Sequence, residues 1–234
     1  MTNPTVTPIT EHRHAWGFLV LDVQDGAYSR SQITLAEGFG VLTAGMVLGQ
    51  QTVGAAAFAA LGTNTGNPTC GAITVAQPAV EGEYDIVMTD ATHYVVLQPA
   101  AGGGGAGAEI GHGVFGQALN AGGLGLTLTA GGTPCVDGDS FKITVAAGSG
   151  NYAPYDPTQS DGTEVASAIL GSGYKDTTSS TQKAGALTGG PSKVNSSELV
   201  WGANVTTTQQ QTNALAQLAK LGIRSVSGLG SLPA

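Results

Sequence analysis

The sequence predicts a mainly β protein with a single helix near its C-terminal end. Three observations lead there. Apolar runs are short and bounded by Gly, Pro, Asn or Asp, which is the pattern of strands joined by turns. Glycine supplies 37 of 234 residues, about twice the ordinary usage, while charged residues are only 10%, against roughly 25% in average globular chains. Helical periodicity is sustained once, beyond residue 206. Few charges and many turn formers suit short strands in an assembly whose neighbours bury part of each surface.

Residues 1–15 combine Thr and Pro without a large apolar cluster, which predicts an extended arm that orders only against a partner. From Trp16, GFLVLDV reads as a strand, Gln24-Asp25-Gly26 as a turn, and SRSQITL as a second strand with Ile33 and Leu35 on one face. In VLTAGMVLG, Ala44-Gly45 separates two apolar triplets, as a tight turn between short strands would. Composition changes at Gly62, where TNTGNPTCG opens a new unit. Its candidate strands are 72–76, 83–88, 93–98, 124–129 and 140–146, and together they predict a small antiparallel β-sandwich. Residues 100–108, AAGGGGAGA, read as a low-complexity loop.

After Gly150 the earlier character returns, with a strand over 163–170, a loose Ser/Thr/Gly stretch over 172–192, and a short strand region in KVNSSELVWG. TTTQQQ then offers three overlapping helix starts: Thr206 with Gln209, Thr207 with Gln210, and Thr208 with Gln211. Ala214, Leu215, Leu218 and Leu221 form one apolar face, and Gly222 is placed to end the helix. The expected organisation is an arm over 1–15, a discontinuous core of 16–61 plus 150–234, and an inserted β-domain over 62–149.

Eight Lys and Arg against sixteen Asp and Glu give a formal charge of -8, too few cations to neutralise a phosphate backbone, so no nucleic-acid partner is expected. No run of about 18 apolar residues predicts a membrane helix. The first residues lack the basic start and apolar stretch of a signal peptide, which points to cytoplasmic synthesis. Cys70 and Cys135 are candidates for a disulfide, although such synthesis favours free thiols at first. Neither has a CxxC partner and His93 and His112 stand alone, so no metal site is expected.

Catalytic strings dissolve on inspection. GHGVFG (111–116) satisfies GxGxxG but follows a glycine tract and precedes no long helix, which makes it a loop. Ser180 and Lys183 form SxxK without the partner motifs of that chemistry. Asp156, Asp161 and Glu164 lack alternating calcium ligands, and a turn at Asp161-Gly162 explains them. No catalytic residues and no cofactor are expected, and the chain does not read as an enzyme. His12-Arg13-His14, just before Trp16, suits contact with an acidic rim or a solvated arm.

Three strings carry a resemblance: SRSQITLAEGFGVLTAGMVLG, then YAPYDPTQSDGTEVASAIL, then VNSSELVWG followed by a Gln-rich Ala/Leu helix and LGIRSV. Together they span about half of the chain, and they resemble the head decoration proteins of lambda-like tailed bacteriophages. The resemblance implies a compact β-rich core forming homotrimers on the outside of the mature capsid, at three-fold and quasi-three-fold positions, with the major capsid protein as partner. It also implies synthesis in the host bacterial cytoplasm and an N-terminal arm that reaches the shell. On that basis Thr5, Val6, Thr7, Ile9, His12, Arg13, His14 and Trp16 are the expected capsid-binding residues. Tyr155, Trp201, Leu215 and Leu218 are expected in the core or between subunits. The inserted domain would face outward, as added bulk or as an adhesion module for a host surface or glycan.

Overall fold

The computed structural model describes residues 13–100 and 107–227. They form two units. The first holds the described parts of Met1–Gly49, Asn151–Pro157 and Val165–Ala234, and the second holds those of Gln50–Gly150 with Thr158–Glu164.

The first unit is built on a closed five-stranded barrel, in the order Tyr152–Pro154, Arg30–Leu35, Gln182–Leu187, Ala166–Leu170, Val47–Gln50. Only the pairing of Tyr152 with Leu35 is parallel; the other pairings described are antiparallel. So narrow a barrel needs small residues inside, and Ala168, Ala184 and Ala186 fill it together with Ile33, Leu35, Leu48 and Leu170. Ala166–Leu170 is apolar but for the half-buried Ser167, because both of its faces are covered. Ala168 and Leu170 belong to the barrel interior, whereas Ile169 joins a second cluster with Phe18, Tyr155, Val194, Leu218 and Ile223.

That second cluster is closed by the helix Thr208–Lys220 and by a three-stranded sheet, ordered Leu19–Asp22, Ser192–Asn195, Ile223–Val226. Of the three possible helix starts the fold uses Thr207. Its hydroxyl accepts from Gln210 N at 3.3 Å, while Gln210 Oε1 accepts from Thr207 N at 3.0 Å. Ala214 and Leu218 are fully buried, and Gln217 Oε1 accepts from Ala166 N at 2.8 Å, tying helix to barrel. Leu221 leaves the expected apolar face: it caps the helix, is 41% exposed, and precedes Gly222 at φ 83°.

The second unit is a sandwich. One sheet is antiparallel and ordered Glu109–Val114, His93–Leu97, Gly82–Met88, Ser140–Ala147, Val53–Ala60; the other joins Ala118–Ala121, Leu124–Thr129 and Thr69–Cys70, with Thr74–Val75 also paired to Leu124–Thr129. Period-two alternation sends Tyr84, Ile86 and Met88, then Phe141, Ile143 and Val145, then Leu124, Leu126 and Leu128 into one core.

Several expectations are corrected here. The stretch 172–192 is not loose, since it contains the strands Tyr174–Asp176 and Gln182–Leu187. GHGVFG is not a loop: its first four residues lie in the strand Glu109–Val114, where the ring of Tyr94 occupies the space a side chain at Gly113 would need. Ala44-Gly45 does turn the chain, but the flanking strands part, Val41–Thr43 pairing with Tyr174–Asp176 and Val47–Gln50 with Ala166–Leu170. Composition changes at Gly62, whereas strand pairing changes at Gln50, because Val53–Ala60 is hydrogen-bonded to Ser140–Ala147.

Cys135 is buried in the sandwich core and Cys70 packs against it. Both are free thiols, and burial pushes both upward in pKa. Asp139 is 5% exposed and accepts N–H bonds from Thr65 (2.9 Å), Gly66 (2.8 Å) and Val136 (3.1 Å). These bonds, that from Thr65 foremost, hold its carboxyl below the ordinary Asp range against the opposing effect of burial. A pKa lowered by folding stabilises the fold fully above the unfolded value, about pH 4, and that contribution is lost as pH falls through the folded value. Asp139→Asn should therefore melt lower than wild type at pH 7 and lose less between pH 4 and pH 2. Parallel melting curves across that range would refute the assignment.

Candidate functional site

The chain reaches the first unit through Arg13–Phe18, and these residues are latched rather than draped. Gly17 N donates to His14 O at 3.1 Å and Leu19 N to Trp16 O at 2.9 Å, two successive tight turns. They place Trp16 at φ 62°, the one positive φ outside glycine among the described residues. Such a conformation persists only where the surroundings compensate for it. Trp16 N donates to Gly171 O at 2.9 Å, and the indole lies so close over Gly171 that any Cβ there would collide with it. Above the ring sits the Arg30 guanidinium, 4.6 Å from the centroid, a contact worth about 0.5–1 kcal/mol.

Arg30 is itself held. Its Nε donates to Asp22 Oδ2 at 2.8 Å, and Ser29 Oγ donates to Asp22 Oδ1 at 2.6 Å, with the Asp22 side chain only 4% exposed. Arg13 donates to the Glu198 carbonyl at 2.6 Å and pairs with the Glu198 carboxylate at 3.2 Å. Both side chains of that pair are about half exposed, so the ion pair itself adds less than about 1 kcal/mol. Arg13, His14, Gly17, Phe18, Ala44 and Glu198 line a cleft of about 280 Å³ at this root.

The expected site residues fall in different places. Thr5, Val6, Thr7, Ile9 and His12 lie outside the described residues. Arg13 and His14 are exposed at the root, whereas Trp16 is half-buried and packs against the second cluster of the first unit. Tyr155 and Leu218 are interior, at 2% and 0% exposure. Trp201 and Leu215 are half-buried at the margin of the same cluster, and Trp201 shares a groove of about 270 Å³ with Phe39, Val41, Met46 and Pro154. Ser180 and Lys183 do not meet: Ser180 Oγ accepts from Gln182, and Lys183 Nζ donates to Thr34 Oγ1 at 2.6 Å. Asp22 and Arg30, which fix the root, were not singled out from the sequence; their role depends on a pairing eight residues apart.

The family model of the bacteriophage lambda head decoration protein D matches residues 8–223, which include the whole root, the barrel and the helix. The chain belongs to this family. Its place is accordingly the exterior of a phage head, and its role there is structural: capsid decoration, with the shell as binding partner. Among curated proteins this decoration protein has no match. Among solved structures, FlgL of Xanthomonas campestris is 21% identical, covering 44% of the decoration protein and 33% of its own chain, with a TM-score of 0.31. The flagellar hook junction protein FlgK of Burkholderia pseudomallei is 23% identical over 57% and 23%, also at 0.31. The decoration protein thus spans about a third or less of those chains, and a likeness of that size carries no argument.

Proposed function

We propose that this decoration protein acts as a trimer on the expanded head, at three-fold and quasi-three-fold positions, and stabilises the shell against the pressure of packaged DNA. The observation that carries the reading is the latched root. Arg13–Phe18 is fixed to the first unit by Trp16, Arg30 and Glu198, so force on the residues before Arg13 passes into the barrel. A ligand that binds the expanded lattice and not dissociated subunits stabilises the lattice by mass action. Ordering an arm costs about 1–2 kcal/mol per residue in backbone entropy, so side-chain contacts alone would scarcely hold it. Main-chain pairing with an exposed capsid strand meets that cost, and three arms on one trimer strengthen each other through effective concentration.

Electron microscopy of virions with and without the protein tests the reading. Difference density should stand at three-fold positions with three-fold symmetry. Density at five-fold positions, or a single copy at each site, would overturn it.

A further inference from the structure

The three-stranded sheet of the first unit has one dry face and one wet face. Val194 and Ile223 point into the core at 0% and 1% exposure. Opposite them runs a row set by strand register: Leu21 beside Lys193, and Lys193 beside Arg224. Two features of this row are unusual for the chain it belongs to. Only eight residues in 234 are Lys or Arg, yet two of them stand directly opposite each other, an arrangement that destabilises a sheet. Neither has an ion-pair partner among the described residues.

The row also borders a groove of about 500 Å³, lined by Leu21, Val23, Pro191, Lys193 and Arg224, with Gly190 and Gly222 among its lining residues. Leu21 is 50% exposed and Val23 43%. Gly190 and Gly222 cross so closely that a Cβ on Gly190 would collide with the Gly222 carbonyl, and one on Gly222 would sit tight against Gly190 at 3.2 Å. The groove therefore offers exposed apolar surface beside two positive charges that have no ion-pair partner among the described residues, on a molecule whose net charge is -8.

We infer that this groove receives an extended segment of the capsid subunit bearing carboxylates next to an apolar side chain. The inference rests on the capsid-binding reading above and adds a second contact to the arm. Charge complementarity selects the occupant: carboxylates relieve the repulsion between Lys193 and Arg224, and an apolar neighbour covers Leu21 and Val23.

Co-sedimentation of the full-length protein with undecorated expanded shells tests it, using Lys193→Ala, the double variant K193E/R224E, and Lys220→Glu as a charge control on the helix. Lys193→Ala should raise the melting temperature of the free protein while weakening shell binding, and the double variant should bind about tenfold more weakly or worse. The control should bind as wild type does. A merely structural lysine would move stability and binding in the same direction, which would overturn the inference. So would undiminished binding by the double variant, or a change in its oligomeric mass, which would put a second copy in the groove. Wild-type protein that ignores the shells would instead remove the capsid-binding reading, and this inference with it.

Discussion

Excising residues 51–149 and joining Gln50 to Gly150 should give a soluble, folded first unit. The chain enters and leaves the second unit side by side: Gln50 Nε2 donates to Gly150 O at 3.0 Å, and Gly150 N donates to Gln51 O at 3.0 Å. A short Gly/Ser linker spans that gap. Neither buried cluster of the first unit draws a residue from the excised stretch. The segment Thr158–Glu164 loses the bonds that Thr52 N and Val53 N give to Asp161 O, and remains as a solvated loop.

An excision of residues 63–149, where composition alone draws the line, should fail. It would strip Val53–Ala60 of its partner Ser140–Ala147 and leave VGAAAFAA, eight residues without charge or proline, as a bare strand. Such edges pair with other chains and aggregate. Size-exclusion chromatography and far-ultraviolet circular dichroism separate the two outcomes. An insoluble 51–149 deletion would mean that the first unit depends on the second for its core.

Deleting residues 2–12 while keeping the root should abolish sedimentation with expanded shells and leave the thermal melt of the free protein unchanged. The stability half follows from the latch: Trp16 on Gly171, Arg30 over the indole and Arg13 on Glu198 all lie beyond the deletion. The binding half follows from avidity, because the three arms are lost together and only the weaker groove contacts remain. The expected loss is on the order of a hundredfold or more. Full retention on shells would sink the arm assignment, and would leave the Leu21–Lys193–Arg224 groove as the better account of attachment.

The sequence made the sandwich strands legible where alternation had contrast. Tyr84, Ile86 and Met88 alternate with polar or smaller neighbours, so Gly82–Met88 is found to within a residue, and Leu124–Thr129 to its ends. Alanine and glycine erased the signal elsewhere. Val53–Ala60 carries alanine on both faces, and Gln182–Leu187 fills a narrow barrel with Ala184 and Ala186, too small to register as an apolar stripe. In Glu109–Val114, Gly113 makes room for the ring of Tyr94, which belongs to a different strand. The same limit governed the root and the groove. Strain at Trp16 depends on Gly171, and the row of Leu21, Lys193 and Arg224 exists only through register between segments far apart in the chain.

The packing of Trp16 has an optical consequence. Both tryptophans, Trp16 and Trp201, belong to the first unit, and the second unit has Tyr84 and Tyr94 instead. Indole emission thus follows unfolding of the first unit alone, whereas tyrosine emission mixes the two units, because Tyr28, Tyr152, Tyr155 and Tyr174 also lie in the first. With a guanidinium 4.6 Å from its ring, Trp16 also carries a built-in reporter. A pull on the preceding chain that lifts the indole from beneath Arg30 should change its colour and lifetime, so tension on the proposed arm would be readable without a label.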